Sequence, residues 1–534
     1  MLKNLTDMCL VCLSKSLHLQ VNLQDKLPTK FKEILIERLA FHDQFTLEYL
    51  PFIVSHLFAP TLKRINFYEC DQINDTVLLN LAECGCQFTS LRIDSCAEIT
   101  DIGLHNLLSQ QRHLETLELI FLPEVCGWSL NSVKSPVLAQ VIIQEEYGKP
   151  PGIDNESFCN LVANNKSLYF VCIHKAQGSR PLNEEQISRI IQSTGERLYH
   201  FYLTGNTEVS DHSLQVLAEN CPNLKTLKLR KVDEASWRSI TEKGLKSVME
   251  KCRRLADLNL YYYYNLFSLH RGLCVLPYLP KSLFVITLDG SLEGIDEDMM
   301  YSAFTQLPHL YKLDVNIDGV SADVVDKILS KMGKQLQDLK LSFSSSHCTT
   351  MHSVIKSVVQ YCINLKNWTV YTCEHIDGTE LYPVLRDERR ANNLKLFKLW
   401  PATQIKYDVL LSIVNCCKNL DTFTICNHNV DDDIVLALSQ NTNISCIDLN
   451  GECNELSEEA LCKLVVACPL MRARFPRMKN ITDKLVKMLA YHSPYLDFVR
   501  LSGWARISEE SIQKLRDSCI RRVYIAYHPR EELQ

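Results

Sequence analysis

One short apolar pattern recurs along nearly the whole chain. Aliphatic residues or Phe occupy the first, fourth and sixth positions of a six-residue segment. About eighteen copies, roughly 24 to 31 residues apart, follow one another from Leu62 to the C-terminus. The clearest copies start at Leu62, Phe88, Leu114, Leu198, Leu224, Leu255, Leu310, Leu336, Leu394, Leu420 and Leu496. A period of this length predicts a stack of equivalent units rather than a single globular core.

The residues after each copy predict a helix. In Ile99-Thr100-Asp101, Val209-Ser210-Asp211 and Ile481-Thr482-Asp483, a Ser or Thr is followed by an acid and then by leucines three or four positions apart. Ser and Thr cap helices well, and the helix dipole favours an acid in the first turn. Each unit is therefore predicted to be a strand followed by a helix. The predicted fold class is an α/β solenoid, with a parallel sheet inside and helices outside.

The ends of the array and its irregular places can also be predicted. The last copy starts at Ile520 and should end the array as a terminal strand. Longer gaps between copies, at residues 147–152, 261–280 and 372–393, predict loops that project from the rim.

Composition favours a folded binding protein inside the cell. The chain has 534 residues, more than the ~250–300 that one core usually accommodates. Its net charge of −6 offers no basic footprint for nucleic acid or anionic membranes, and no apolar run reaches the ~18 residues of a membrane-spanning helix. The 23 cysteines are odd in number and spread out, unlike a secreted disulfide framework. We therefore expect a location in the cytoplasm, the nucleus or both.

Cysteines recur at fixed places in the unit. One set precedes the strand and another follows it: Cys221, Cys252, Cys362, Cys417 and Cys468, then Cys70, Cys96 and Cys453. In this respect the chain resembles the cysteine-containing leucine-rich repeats common in F-box-type ubiquitin-ligase receptors and in the antagonist of mitotic exit network protein. The resemblance implies a curved array that binds a protein on its concave face. We expect the array to cover residues 61–528, with a tail at 529–534.

The first 60 residues follow a different pattern. Leu5, Cys9 and Leu13 are four residues apart, which predicts one stripe on a helix from about residue 4 to residue 17. Leu27-Pro28 then opens a second helix, because Pro is well tolerated in a first turn. A third helical stretch is expected at about residues 44–57. Residues 1–60 are therefore predicted to form a separate helical region ahead of the repeats.

The first two helices resemble the elongin-C-binding box and the cullin-2 box, which precede the repeats in Zyg/Zer-type ligase receptors. The resemblance implies contacts with an elongin C/cullin-2 adaptor through Leu5, Cys9, Leu13, Leu27, Pro28, Phe31 and Leu35. Two alternatives remain open. Leu27-Pro28 also fits the opening of an F-box, which would recruit the Skp1/cullin-1 adaptor. The helices could instead only cap the first repeat, since a repeat array needs a capped end.

No catalytic chemistry is apparent in the sequence. The zinc-protease, nucleotide-binding and hydrolase signatures are missing, so we expect a protein that is not an enzyme and has no cofactor or metal. The strand residues between the leucines should face an unknown partner protein. Aromatic and Arg residues are favoured at such surfaces, and the candidates are Tyr202, Lys228, Arg230, Tyr261, Tyr371, Lys398, Trp400, Arg474 and Arg500. The predicted function is substrate recognition for a cullin-RING ubiquitin ligase, with a non-ligase scaffold as the competing hypothesis.

Overall fold

The structure of the chain is a computed structural model. It describes residues 5–17, 23, 26–146, 152–205, 207–231, 240–262, 273–288, 296–317, 319–342, 348–371, 376–400, 404–426, 430–450, 456–475, 481–501, 507–519 and 523–527. The chain divides into two compact units. The N-terminal unit comprises residues 8–290, and the C-terminal unit comprises residues 291–534 together with residues 1–7.

Short parallel strands run through each unit. In the described part of the N-terminal unit they are β1 (Arg64–Tyr68), β2 (Ser90–Asp94), β3 (Thr116–Ile120), β4 (Gln140–Gln144), β5 (Phe170–Lys175), β6 (His200–Gly205), β7 (Thr226–Lys231), β8 (Asp257–Tyr262) and β9 (Val285–Leu288). In the described part of the C-terminal unit they are β10 (Lys312–Asn316), β11 (Asp338–Ser342), β12 (Asn367–Tyr371), β13 (Leu396–Trp400), β14 (Thr422–Cys426), β15 (Cys446–Asn450), β16 (Arg472–Arg474), β17 (Phe498–Leu501) and β18 (Tyr524–Tyr527). Within each unit, every strand pairs in parallel with the next one along the chain.

Helices alternate with the strands. Before β9 they are α1 (Leu5–Lys15), α2 (Thr29–Phe41), α3 (Leu50–Leu57), α4 (Asp75–Glu83), α5 (Asp101–Leu108), α6 (Asn155–Asn164), α7 (Glu184–Thr194), α8 (Asp211–Asn220) and α9 (Glu242–Lys251). After β9 they are α10 (Glu297–Thr305), α11 (Ala322–Met332), α12 (Cys348–Tyr361), α13 (Tyr382–Leu385), α14 (Glu388–Asn393), α15 (Tyr407–Cys416), α16 (Asp432–Leu438), α17 (Glu458–Ala467), α18 (Asp483–His492) and α19 (Glu509–Ser518). Short 3₁₀ helices at Trp128–Ser132 and Leu273–Tyr278 stand where other repeats have an α-helix.

The leucines of consecutive repeats stack in register. Leu227 of β7 pairs with Leu258 of β8, and Leu229 pairs with Leu260. These four side chains are at most 2% exposed, because they lie between the strand layer and the helices. The predicted leucine-rich-repeat solenoid is thereby confirmed: the apolar positions of each copy form a continuous core, and each repeat completes the burial of its neighbour.

The acid that opens a helix also binds the next repeat. Asp75 at the start of α4 accepts hydrogen bonds from the backbone N–H of Thr100 at 2.9 Å and from its hydroxyl at 2.6 Å. Thr100 in turn caps α5 by accepting from the N–H of Ile102 at 3.1 Å. The same pairing joins Asp211 to Thr241, Asp432 to Ser457, Glu458 to Thr482 and Asp483 to Ser508. Besides the dipole role inferred from the sequence, these acids link consecutive repeats.

These acids at the helix starts explain why two helical positions are occupied by glycine. A Cβ added to Gly103 in α5 would lie 2.3 Å from Oδ1 of Asp75, and one added to Gly244 in α9 would lie 2.4 Å from Oδ1 of Asp211. Such distances are far below van der Waals contact. The close approach of the acid therefore requires a residue without a side chain at both positions.

The cysteines before the strands belong to the core. Cys221 and Cys252 are fully buried and follow the last residues of α8 and α9, where their N–H groups donate to the carbonyls of the preceding turn. The thiol of Cys252 donates to the carbonyl of Cys221 at 3.4 Å, which joins two repeats. Burial raises the pKa of both thiols to about 12, so they remain protonated. Among the residues that the structure describes, the cysteines are free thiols.

The N-terminal helices cover the edge of the first strand. Both the N–H of Lys63, at 2.8 Å, and the N–H of Arg64, at 2.9 Å, donate to Oε1 of Glu33 in α2. The side-chain amide of Asn66 donates to Glu37 at 2.9 Å. The two bonds to Glu33 occupy backbone donors at the start of β1 that an edge strand would otherwise leave open. The third helix is shorter than the predicted stretch of residues 44–57: it begins at Leu50 and ends at Leu57.

One predicted rim loop is helical instead. Residues 376–393 form a 3₁₀ turn followed by α13 and α14, and the side chains of Leu381, Val384 and Leu385 are buried. The prediction of a projecting loop at 372–393 is therefore wrong for this part, because its apolar residues complete the helical layer. Residues 147–151 and 263–272 of the other two predicted loops lie outside the described residues. At the far end, β18 pairs with β17, in line with the predicted terminal strand.

Candidate recognition surface

Each strand presents one face that does not pack on the helices, and we call this face the inner wall. In β6, Phe201 and Leu203 are buried, whereas His200, Tyr202 and Thr204 between them are partly exposed. Successive strand side chains point to opposite faces of a sheet. The residues that alternate with the buried aliphatics therefore line the inner wall, which is the surface predicted to receive a partner.

An aromatic cluster lies on the inner wall of the N-terminal unit. The ring centroids of Phe170 and Tyr202 are 4.9 Å apart, and those of Phe170 and His200 are 5.6 Å apart. Nζ of Lys228 stands 4.6 Å from the Tyr202 ring centroid and 3.6 Å from a carboxylate oxygen of Asp257. The cluster offers both ring faces and a cation within one small area.

Two histidines of this wall favour their neutral form. Burial lowers the pKa of His174, and the nearby Arg230 lowers it further. Burial likewise lowers the pKa of His200, with Lys225 as the next cause. Nδ1 of His174 is 2.8 Å from the hydroxyl of Thr204, and Nδ1 of His200 is 3.0 Å from that of Thr226. These imidazoles therefore act as neutral hydrogen-bonding groups near pH 7.

A second cluster lies on the inner wall of the C-terminal unit. Nζ of Lys398 is 5.2 Å from the ring centroid of Tyr371 and 5.8 Å from that of Trp400. Lys340 approaches the Tyr371 ring to 5.4 Å and forms an ion pair with Asp314 at 2.9 Å. The strands place Tyr371 directly beside Trp400. We call Tyr371, Lys398 and Trp400 the aromatic clamp.

Arginines gather on the last strands of the C-terminal unit. Asp448, Arg474 and Arg500 occupy matching positions on β15, β16 and β17. Nη1 of Arg474 donates to Oδ2 of Asp448 at 3.1 Å, and its guanidinium lies 5.2 Å from the Phe498 ring centroid. Burial raises the pKa of Asp448, an effect that Arg474 and Lys398 oppose. We call Arg474 and Arg500 the arginine patch.

The structure distributes the predicted recognition residues between the units. It brings Tyr202 together with Lys228, Tyr371 with Lys398 and Trp400, and Arg474 with Arg500. Arg230 is exposed near the end of β7. Tyr261 pairs with Arg230 in the strand register, but its side chain lies outside the described residues. That these residues bind a partner stays a prediction.

Sequence reasoning missed several inner-wall residues. Phe170, His200 and Phe498 stand one position before the second aliphatic residue of their copies, and Phe498 stacks on Tyr524 with ring centroids 5.6 Å apart. The prediction considered the residues between and after the later aliphatics. The position before them faces the same way, because it lies two residues from the middle one. The alternation of side chains along each strand could therefore have identified these residues from the sequence.

The predicted adaptor residues lie on α1 and α2. In α1, Leu10 and Ser14 are buried, as is Leu17 just after the helix, whereas Cys9 is exposed and Leu13 is partly exposed; the side chain of Leu5 lies outside the described residues. On the segment that leads into α2, Leu27 is partly exposed and Pro28 is exposed, and Phe31 within the helix is partly exposed. Leu35 is fully buried in the core. Ile36 and Leu39 of the same helix are buried with it, and an adaptor contact through the predicted residues stays a prediction.

The described residues contain no group of three or more His, Cys, Asp or Glu side chains placed to hold a metal ion. Within the same residues, no helix combines the length and apolar character needed to cross a bilayer.

Comparisons with known proteins give weak matches. No protein-family model matches the sequence. The chain is 23% identical over 305 residues to a transport inhibitor response 1-like protein of Oryza sativa subsp. japonica, a match that covers 55% of this chain and 50% of the relative. The match thus spans half of that protein's length.

Two solved structures resemble the fold. A chain of the crystal structure of the Rad7 and Elc1 complex in yeast has a TM-score of 0.29 and 14% identity, and the match covers 95% of this chain and 90% of the other. A chain of the TLR13–ssRNA13 complex has a TM-score of 0.30 and 13% identity, over 88% of this chain and 60% of the other. Both TM-scores are low, and neither likeness bears on partners or function.

Proposed function

We propose that this protein is the substrate-recognition subunit of a cullin-RING ubiquitin ligase. The inner wall holds the target protein, and α1 docks elongin C, the adaptor of cullin-2. One observation carries the proposal: Leu10 and Ser14 of α1 are buried, as is Leu17 just after the helix, while Cys9 and Cys12 of α1 face solvent. An amphipathic helix held by one face leaves the opposite face free to enter a groove on a partner.

The rest of the N-terminal region positions α1. Nε of Arg38 in α2 donates to the buried hydroxyl of Ser14 at 3.0 Å. The same helix is bonded to the start of the sheet through Glu33. Because α1 is bonded to α2, and α2 to the start of the sheet, its exposed face should have less conformational freedom to lose when a partner binds.

The competing hypotheses use the same helices differently. An F-box would dock the Skp1/cullin-1 adaptor through the first turn of α2, where Pro28 and Phe31 are accessible. A cap without an adaptor would account for the bonds of Glu33 but not for the exposed Cys9 stripe. The similarity to the rice protein supports a receptor role of the repeats, whereas elongin C recruitment rests on α1.

Such a receptor acts by proximity. It holds the target so that lysines of the target face a ubiquitin-loaded enzyme on the same assembly, and this supplies effective concentration rather than bond chemistry. Under this proposal, the chain's own residues bind and orient, and the catalytic groups belong to other subunits.

A pull-down of purified elongin C with the tagged full chain tests the proposal. Cys9→Asp places a charge on the exposed stripe and should weaken capture about tenfold or more, since a buried unpaired charge is costly at an interface. Leu13→Ala should weaken it less. Ile102→Asp, an apolar-to-acid change at an exposed position of α5, is the matched control and should leave capture unchanged.

The outcomes separate the three hypotheses. If wild type does not capture elongin C, or if Cys9→Asp captures it equally well, the elongin C assignment is wrong. Capture of Skp1 that is insensitive to Cys9→Asp but lost in Phe31→Asp would support the F-box alternative. Capture of neither adaptor would leave a scaffold with capping helices. Circular dichroism of each variant verifies that the repeats remain folded.

A further inference from the structure

Cations dominate one stretch of inner wall in the C-terminal unit. Five consecutive strands, β13 to β17, align their middle residues in register: Lys398, Thr424, Asp448, Arg474 and Arg500. This row contains three cations and one carboxylate. Adjacent strands lie about 4.8 Å apart, so Arg474 and Arg500 are close like charges. Such a pair is destabilising unless an anion lies nearby.

The protein itself compensates only part of this charge. Asp448 pairs with Arg474 through Oδ2, but it is largely buried, and its Oδ1 is covered without a hydrogen-bond partner. Arg472 is neutralised by Asp497 at 3.1 Å. Among the described residues, no carboxylate lies within ion-pair distance of Arg500 or Lys398. Lys398 is held by ring faces instead. Two positive charges therefore remain available on the wall.

We propose that the arginine patch and Lys398 form a docking site for an extended acidic segment of a partner protein. Asp or Glu side chains of that segment contact Arg474 and Arg500, whose guanidinium groups suit bidentate bonds with carboxylates. The inference rests on the proposed recognition role of the inner wall and names its class of ligand.

The dimensions of the row fit a short peptide. Four inter-strand steps of about 4.8 Å separate Lys398 from Arg500, a distance of roughly 19 Å. An extended chain advances about 3.3 Å per residue, so about six residues span the row. Carboxylates on alternate residues of such a segment point to one side, towards the wall.

Aromatic side chains flank the cations at both ends of the row. At one end the rings of Tyr371 and Trp400 flank Lys398, and at the other end Phe498 stacks on Tyr524, which is 56% exposed. These surfaces suit apolar or aromatic side chains beside the acidic residues. The chain as a whole carries a net charge of −6, which repels a long polyanion such as nucleic acid. A local positive row on an acidic protein therefore favours a short acidic peptide.

Fluorescence anisotropy with the full chain tests the inference. The probe is a labelled synthetic peptide of alternating Glu and Tyr. Arg474→Ala combined with Arg500→Ala should weaken binding at least about tenfold, since charge-assisted bonds would be lost. Arg516→Ala removes the same charge from the exposed face of α19 and should leave affinity unchanged. Asp448→Asn should strengthen binding a few-fold, because it frees Arg474.

Any one of four results would overturn the inference. These are absence of peptide binding, equal binding by the double arginine variant, equal binding of the matching Gln–Tyr peptide, or preference for single-stranded RNA of similar length. The single variants Arg474→Gln and Arg500→Gln, each expected to weaken binding a few-fold, keep the test valid if the double variant misfolds. The assay contains no adaptor, so its outcome is independent of elongin C capture and the two proposals can fail separately.

Discussion

Two ion pairs of the molecule consist of similar groups but differ in how far their cations are exposed. In the N-terminal unit, Lys175 and Glu145 are paired with side-chain exposures of 1% and 4%. In the C-terminal unit, Arg474 is 50% exposed, while its partner Asp448 is 13% exposed. The first pair is enclosed by the fold, whereas the second presents its cation on the inner wall. Charge type alone therefore does not identify a recognition residue.

The enclosed pair belongs to a network of hydrogen bonds. Besides Lys175, Glu145 accepts from the N–H of Ile153 at 2.8 Å, from the N–H of Ala176 at 3.0 Å and from the hydroxyl of Ser179 at 2.6 Å. Lys175 also donates to the carbonyl of Ile153 at 2.9 Å. A buried charge is tolerated only when its hydrogen-bonding capacity is met in this way. Both oxygens of Glu145 have partners, in contrast to the covered Oδ1 of Asp448.

Breaking the enclosed pair should have the largest effect. Lys175→Met leaves Glu145 buried without its counter-charge and should lower the local unfolding free energy by roughly 3–5 kcal/mol. Hydrogen exchange of the β4 and β5 amides measures this change, because a repeat array need not unfold in one step. Lys251→Met breaks the exposed pair with Glu219 and should change stability by less than about 0.5 kcal/mol. Equal effects of the two variants would refute the contrast.

The enclosed carboxylate of Asp101, at the start of α5, should have the next largest effect. Asp101 accepts from the N–H groups of Cys126, at 2.7 Å, and of Gly127 and Ser129, at 3.0 Å. Asp101→Ala leaves these donors, two of them buried, without their acceptor and should cost roughly 2–4 kcal/mol, measured by hydrogen exchange around Trp128–Ser132. Asp101→Asn keeps one acceptor oxygen and should cost less. A loss below ~1 kcal/mol in the Ala variant would mean that water satisfies these donors.

The pair of Arg474 and Asp448 should contribute less to stability than either of these enclosed carboxylates. Asp448→Asn should change the unfolding free energy by less than about 1 kcal/mol near pH 7, because Arg474 is half exposed. The pH dependence has a definite sign. Burial raises the pKa of Asp448 in the folded state above its usual value of 3.8, so the folded protein binds this proton more tightly.

Stability of wild type relative to Asp448→Asn should therefore be highest below pH 3.8 and fall as pH rises through the folded-state pKa. Urea denaturation of both proteins across that range gives the difference. A difference that rises with pH instead would show that Arg474 stabilises the carboxylate more than burial penalises it.

Much of the fold was predictable because the repeat pattern is local. Leu224, Leu227 and Leu229 mark a strand, and Thr100 followed by Asp101 marks a helix start, from sequence spacing alone. The first and last strands, and the aromatic clamp, also follow from that register. The burial of Leu35 was not predictable, because an amphipathic pattern shows that a helix has an apolar face but not what covers it. The rim loop before β13 was misassigned since Val384 and Leu385 are too few to show a helical period.

The sequence by itself determined the solenoid, its strand positions and the side chains that point to its inner wall, since these depend on residues a few positions apart. The tertiary structure decided which of those groups are enclosed. Lys175 and Glu145 are separated by 30 residues, and the stacking of β5 on β4 brings them together. Burial, and with it the cost of an unpaired charge, depends on such neighbours one repeat away. For that reason only the packed array distinguishes the structural pair from the exposed arginine patch.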